Sequence, residues 1–66
     1  HGLEMDASAL LATDRTDVWD ELTRRFESRL IVAALAATRG RRIEAAQKLG
    51  IGRNTITRKI QELGLE

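Results

Sequence analysis

Three glycines punctuate this chain more firmly than any other feature. Gly40, Gly50 and Gly64 each close a stretch whose apolar residues recur at three- and four-residue steps, and no proline interrupts those stretches. Helices commonly end on a residue in the left-handed conformation, which glycine adopts without a Cβ penalty. The spacing therefore predicts a long helix over 18–38, a short one over 42–49 and a third over 53–63. Strong helix formers such as alanine, leucine, arginine and glutamate fill these segments, so the fold class is all-α. With 66 residues, about half a usual domain, one compact unit is the ceiling. The absence of cysteine excludes disulfides, and a lone histidine at position 1 leaves no zinc site and no implied cofactor. The only aromatics are Trp19 and Phe26, so the core is expected to be aliphatic. No apolar run approaches the ~20 residues of a membrane span, and nothing reads as a signal peptide. The lack of cysteine fits the cytoplasm. The chain does not begin with methionine, so an excised domain of a longer protein is expected.

Residues 1–16 read as a linker, partly disordered or carrying a short helix over 7–12 capped by Asp6, and residues 17–66 as the folded domain. In the long helix, Thr16 or Asp17 is available as N-cap, and Asp20 and Glu21 place negative charge in the first turn, where the helix dipole favours it. Trp19, Leu22, Phe26, Leu30, Ala33 and Ala37 form one apolar stripe, and Ile31, Ala34, Leu35 and Thr38 widen it. Two short helices can hardly cover that breadth, and small domains need extra burial. A homodimer is expected, with Phe26, Leu30, Ile31, Ala34 and Leu35 at its interface.

Charge divides the chain. Residues 1–38 carry four arginines against seven acids, a balance of −3, whereas residues 39–66 carry seven basic residues against three acids, +4. Such asymmetry points the second half toward a polyanion. In the same half, a short helix, the turn Leu49-Gly50-Ile51-Gly52 and a further helix make a helix-turn-helix unit. Ile43, Ala46 and Leu49 are expected to face inward, Ala46 being small because the next helix crosses it, and Ile51 to plug the angle between the helices. Ile56, Ile60 and Leu63 form the buried stripe of the last helix. At about 100° per residue, Asn54, Arg58 and Gln61 lie opposite that stripe, with Arg53 on the first turn. Arginine reads guanine and asparagine reads adenine, which makes Arg53, Asn54 and Arg58 candidate base readers of double-stranded DNA. Arg41, Arg42, Thr55, Thr57 and Lys59 are the candidate phosphate contacts. No phosphate-binding glycine loop precedes a lysine, and no nucleophile sits beside a base, so neither an enzyme nor a small-molecule substrate is expected.

Residues 40–66 resemble the Fis-type, homeodomain-like helix-turn-helix. Gly-Arg-Asn-Thr-Ile-Thr-Arg-Lys-Ile-Gln-Glu-Leu-Gly, residues 52–64, is similar to the C-terminal end of the NtrC class, and the helix Glu-Leu-Thr-Arg-Arg-Phe-Glu-Ser-Arg-Leu-Ile extends the likeness to residues 18–66. The resemblance implies a dimeric domain that tethers a sigma-54-dependent response regulator to enhancer sites, with other domains in the full-length protein. It also implies that Arg53 reads a base and that Thr55 and Arg58 grip the backbone, so Arg58 has two possible roles. Gly52 stands where Fis itself has asparagine, which removes one base contact. Lys59 stands where repressor-type units place an apolar residue. A free-standing Fis-like nucleoid protein and a helical dimerisation module without DNA binding are the alternatives.

Overall fold

Both apolar stripes of the long helix find a use, on different faces. The computed structural model describes residues 2–66. Four helices follow one another: α1 (Gly2–Leu11), α2 (Val18–Ala37), α3 (Arg42–Leu49) and α4 (Arg53–Glu62). The core is Ile31 of α2, Ala45 and Ala46 of α3, and Ile56 and Ile60 of α4, with Ala34, Leu35, Leu49, Leu63 and Leu65 packed around them. Ile56 and Ile60 are 0% and 1% exposed. Fully burying each isoleucine contributes about 1.5–3 kcal/mol. Ala45 and Ala46 are small where α3 meets both neighbours.

The face of α2 that seats the helix-turn-helix is therefore the Ile31 stripe. Its larger stripe lies round the other side: Trp19 is 87%, Phe26 61% and Leu30 42% exposed. Ile31 is 4% exposed within a single chain, with the partly buried Ala34 and Leu35 packed beside it, so this part of the expected dimer face already serves the core. The N-terminal stretch is a helix from Gly2, longer than the expected 7–12 segment, and it packs along α2. Leu3, Ala7 and Leu11 line a groove with Trp19, Leu22 and Phe26, and this apolar contact stabilises a helix too short to persist alone. An Arg25–Asp6 ion pair at 4.0 Å crosses the same seam.

The ends of the helices depart from expectation in two places. Asp17 occupies the N-cap position of α2 without a capping bond. Its carboxylate instead accepts from Arg15 Nε and Nη2 at 2.8 and 2.9 Å. At the other end Gly40 is left-handed as expected, φ 79°, but Arg39 before it is left-handed too, φ 57°. The Gly40 N–H donates to the Leu35 carbonyl at 2.7 Å, closing the helix over a non-glycine corner. Thr38 is buried, and its hydroxyl lies 3.0 Å from the Ala34 carbonyl and 3.1 Å from that of Arg41. That hydroxyl holds the chain as it turns into α3.

Candidate nucleic-acid interface

The turn between α3 and α4 closes as its residues dictate. Gly50 sits at φ 78°, and the Ile51 N–H donates to the Ala46 carbonyl at 3.0 Å. Ile51 comes to rest at the lip of a groove, 36% exposed, and is less of a plug than its position predicts. Ile43 is a clearer correction at 54% exposed. Around the eight-residue α3, the direction set by Ala45, Ala46 and Leu49 leaves Ile43 roughly 110° away.

α4 opens toward solvent at its start. Gly52 precedes it in an extended conformation, φ −74° and ψ 154°, with no side-chain cap and no acid in the first turn. The first bond of the turn runs from the Ile56 N–H to the Gly52 carbonyl at 3.1 Å. The preceding N–H groups and the positive end of the helix dipole thus face outward, an arrangement that favours an anion. Asn54, Arg58 and Gln61 are exposed on the side away from Ile56 and Ile60, and Arg53 is exposed in the first turn of α4, ahead of that buried stripe. Arg58 lies 3.6 Å from Glu62 and Arg41 3.3 Å from Glu44, both pairs well over half exposed on the arginine. Such pairs are worth roughly 0–1 kcal/mol and exchange readily for a phosphate. Arg42 and Arg53 make no ion pair among the described residues.

Three of the candidate phosphate contacts are placed differently from Arg41 and Arg42. The Thr57 hydroxyl donates back to the Arg53 carbonyl at 2.9 Å, which commits its proton within the helix. Thr55 is half-buried, facing the groove beside Leu49 and Ile51. Lys59 is the sharpest departure: its Nζ reaches across to Glu27 of α2, 3.0 Å from Oε2 and 3.2 Å from Oε1. Helical phase explains this, because Lys59 falls one turn after Ile56 and directly before Ile60, on the edge of α4 that meets α2. The same phase was legible in the sequence, as was that of Glu27, one turn before Ile31. Two further features escaped sequence reasoning. Leu65 packs on the core through a Schellman turn, its N–H donating to the Ile60 carbonyl at 2.9 Å. Arg24 Nη2 donates to the Glu62 carbonyl at 3.4 Å, a cation at the negative end of α4.

The family of bacterial regulatory proteins of Fis type matches residues 23–63, which is more than half the chain and spans most of α2 through α4. The chain belongs to the Fis family. This Fis-family domain is 41% identical over 64 residues to the DNA-binding transcriptional regulator NtrC of Proteus hauseri, an alignment covering 97% of the chain and 14% of that protein. It is 50% identical over 48 residues to the NtrC of Rhizobium meliloti, covering 73% of the chain and 10% of the relative. To the Escherichia coli protein of the same name it is 42% identical over 60 residues, 91% of the chain and 13% of the relative. The Fis-family domain thus spans 10–14% of the length of these relatives. No solved structure matches it significantly. No helix among the described residues is long and apolar enough to cross a membrane.

Proposed function

We propose that this domain is the sequence-specific, enhancer-binding output module of an NtrC-like, sigma-54-dependent transcriptional regulator, acting on double-stranded DNA as a homodimer in the bacterial cytoplasm. The observation that carries the reading is the exposed face of α4. Asn54, Arg58 and Gln61 stand together there, and Arg53 stands exposed in the first turn, at an uncapped helix start without an acid. α4 is the recognition helix and enters the major groove, where Arg53 and Asn54 meet base edges. Arg41 and Arg42 hold flanking phosphates, and Arg58 stands where it reaches either a base or the backbone. The names of the relatives support regulation of transcription, and their greater length supports further domains in the full-length protein.

The homodimer rests on the second face of α2. Trp19, Phe26 and Leu30 form an apolar surface that a single chain leaves in water. Pairing that surface about a two-fold axis would present two recognition helices to half-sites roughly one helical turn apart. The test is a gel shift on random duplex in low salt, alongside sedimentation at micromolar concentration. Retarded duplex and a two-chain mass are expected. A module that forms the two-chain species and leaves the duplex unshifted would refute DNA binding, and a one-chain mass would refute the dimer.

A further inference from the structure

The Lys59–Glu27 contact differs in kind from every other ion pair among the described residues. The pairs of Arg15, Arg25, Arg41 and Arg58 either stay within one helix and its entrance or join α1 to α2. Only Lys59–Glu27 joins α2 to α4, across 32 residues of sequence. Both side chains are about three-quarters buried, at 28% and 27% exposed, and they sit over a groove walled by Phe26, Leu30, Ile31, Leu49, Ile51 and Thr55. Glu27 Oε1 accepts a hydrogen bond from the Lys59 ammonium at 3.2 Å, and Oε2 lies 3.0 Å from the same nitrogen. The surroundings are apolar, so water competes weakly for the pair. Its direction is fixed by Ile31 and Ile60, whose neighbours on the two helices these residues are.

We infer that Glu27 and Lys59 are positioning residues that set the angle of the recognition helix against the long helix, and through it the half-site spacing that the domain accepts. This rests on the DNA-binding homodimer proposed above. In such a dimer α2 carries the subunit contact and α4 carries the base contacts, so any rotation of α4 about its core changes the separation of the two reading heads. The isoleucines of the core resist separation of the helices but resist rotation poorly, since dispersion is non-directional. A charged hydrogen bond at one edge of the α2–α4 contact supplies the missing direction. Arg24, donating to the Glu62 carbonyl at 3.4 Å, adds a weaker tie at the end of α4.

The experiment starts from duplexes that the wild-type domain enriches from a random library. Affinity is then read by fluorescence anisotropy for wild type, Glu27→Gln, Lys59→Met and the exchanged pair Glu27→Lys/Lys59→Glu. Each is titrated on the selected duplex and on versions with one base pair inserted or removed between the half-sites. Each single variant should lose roughly five- to tenfold on the selected duplex, the scale of a partly buried pair in each of two subunits. Losses on the altered spacings should be smaller, so that discrimination between spacings narrows. The exchanged pair should return to within about twofold of wild type with its spacing preference restored. A phosphate contact predicts the opposite: the exchange places a carboxylate against DNA and binds worse than Lys59→Met, and the salt slope drops by about two units. That result, or an equal loss on all spacings with a lowered melting temperature, overturns the inference while leaving DNA binding intact. A wild-type domain that enriches no duplex overturns the DNA-binding reading and the inference with it.

Discussion

Leu30 and Ile31 are neighbours in sequence with different surroundings, Ile31 in the core and Leu30 on the proposed dimer contact, and substituting each with lysine should separate them cleanly. Ile31 is 4% exposed and sits among Ala45, Ala46, Ile56 and Ile60. Losing its burial costs about 1.5–3 kcal/mol, and forcing an ammonium into that site adds several more. At ~0.05–0.15 kcal/mol per residue, a chain of 66 residues has only about 3–10 kcal/mol of stability in total. Ile31→Lys should therefore leave the chain largely unfolded, and even Ile31→Ala should cost ~2–5 kcal/mol. Leu30 is 42% exposed on the neighbouring stripe, where a lysine stem lies along the surface with its charge in water. Leu30→Lys should cost the monomer under about 1 kcal/mol but place a charge in each copy of the subunit contact. Far-UV circular dichroism and sedimentation velocity, run together, read both effects. Leu30→Lys should stay helical, sediment as one chain and melt at a temperature independent of concentration. A helical, monomeric Ile31→Lys protein would refute the assignment of faces, and so would an unfolded Leu30→Lys protein.

Three further outcomes follow from particular contacts. Arg39 holds a left-handed φ of 57° that costs a side-chain-bearing residue roughly 1–2 kcal/mol, so Arg39→Gly should raise the melting temperature; a fall would show that the arginine makes a compensating contact. Gly50→Ala should destabilise by a similar ~1–2 kcal/mol through backbone strain alone, because a Cβ there meets no atom within 4 Å. Stability should also fall in acid in a way that depends on two arginines. Hydrogen bonds from Arg15 to Asp17 and from Arg25 to Glu21 hold these carboxyls below their ordinary values of 3.8 and 4.5. A depressed native value means stability present above the ordinary value and lost as the pH falls through the native one. Melting curves should be level from neutral pH to about 5 and decline below about 4, less steeply in Arg15→Gln and Arg25→Gln; identical acid profiles in all three would remove these pairs from the account.

The helix-turn-helix was legible because each of its signals is local. Ile56, Ile60 and Leu63 fix the phase of α4, and Gly50 fixes the corner, whatever else the chain does. The long helix was legible as a helix but not in its orientation, since its two apolar stripes carry equal claims until a neighbour is placed. Trp19, Phe26 and Leu30 read as one broad face with the stripe around Ile31, and the small, close-fitting α3 seats only the narrower stripe. Ile43 misled for a related reason: alanines, not the larger residue, make the close approach of α3. Lys59 was counted by charge when its phase on α4, shared with the Glu27 edge of α2, already pointed inward. Arg39 was hidden by the glycine beside it.

The claim that matters most is that the exposed face of α4 reads sequence, and Arg53→Ala tests it most directly. Competition anisotropy would compare wild type and variant on a selected duplex and on random duplex, each across a salt series. With Arg41, Arg42 and Arg58 on phosphates in each of two subunits, both proteins should show a log–log salt slope of about −5. Arg53→Ala should lose about 1–3 kcal/mol on the selected duplex for each base contact removed, with little change on random DNA and flattened discrimination at one base pair of each half-site. Equal losses on both duplexes, or a wild-type slope shallower than about −3, would contradict it.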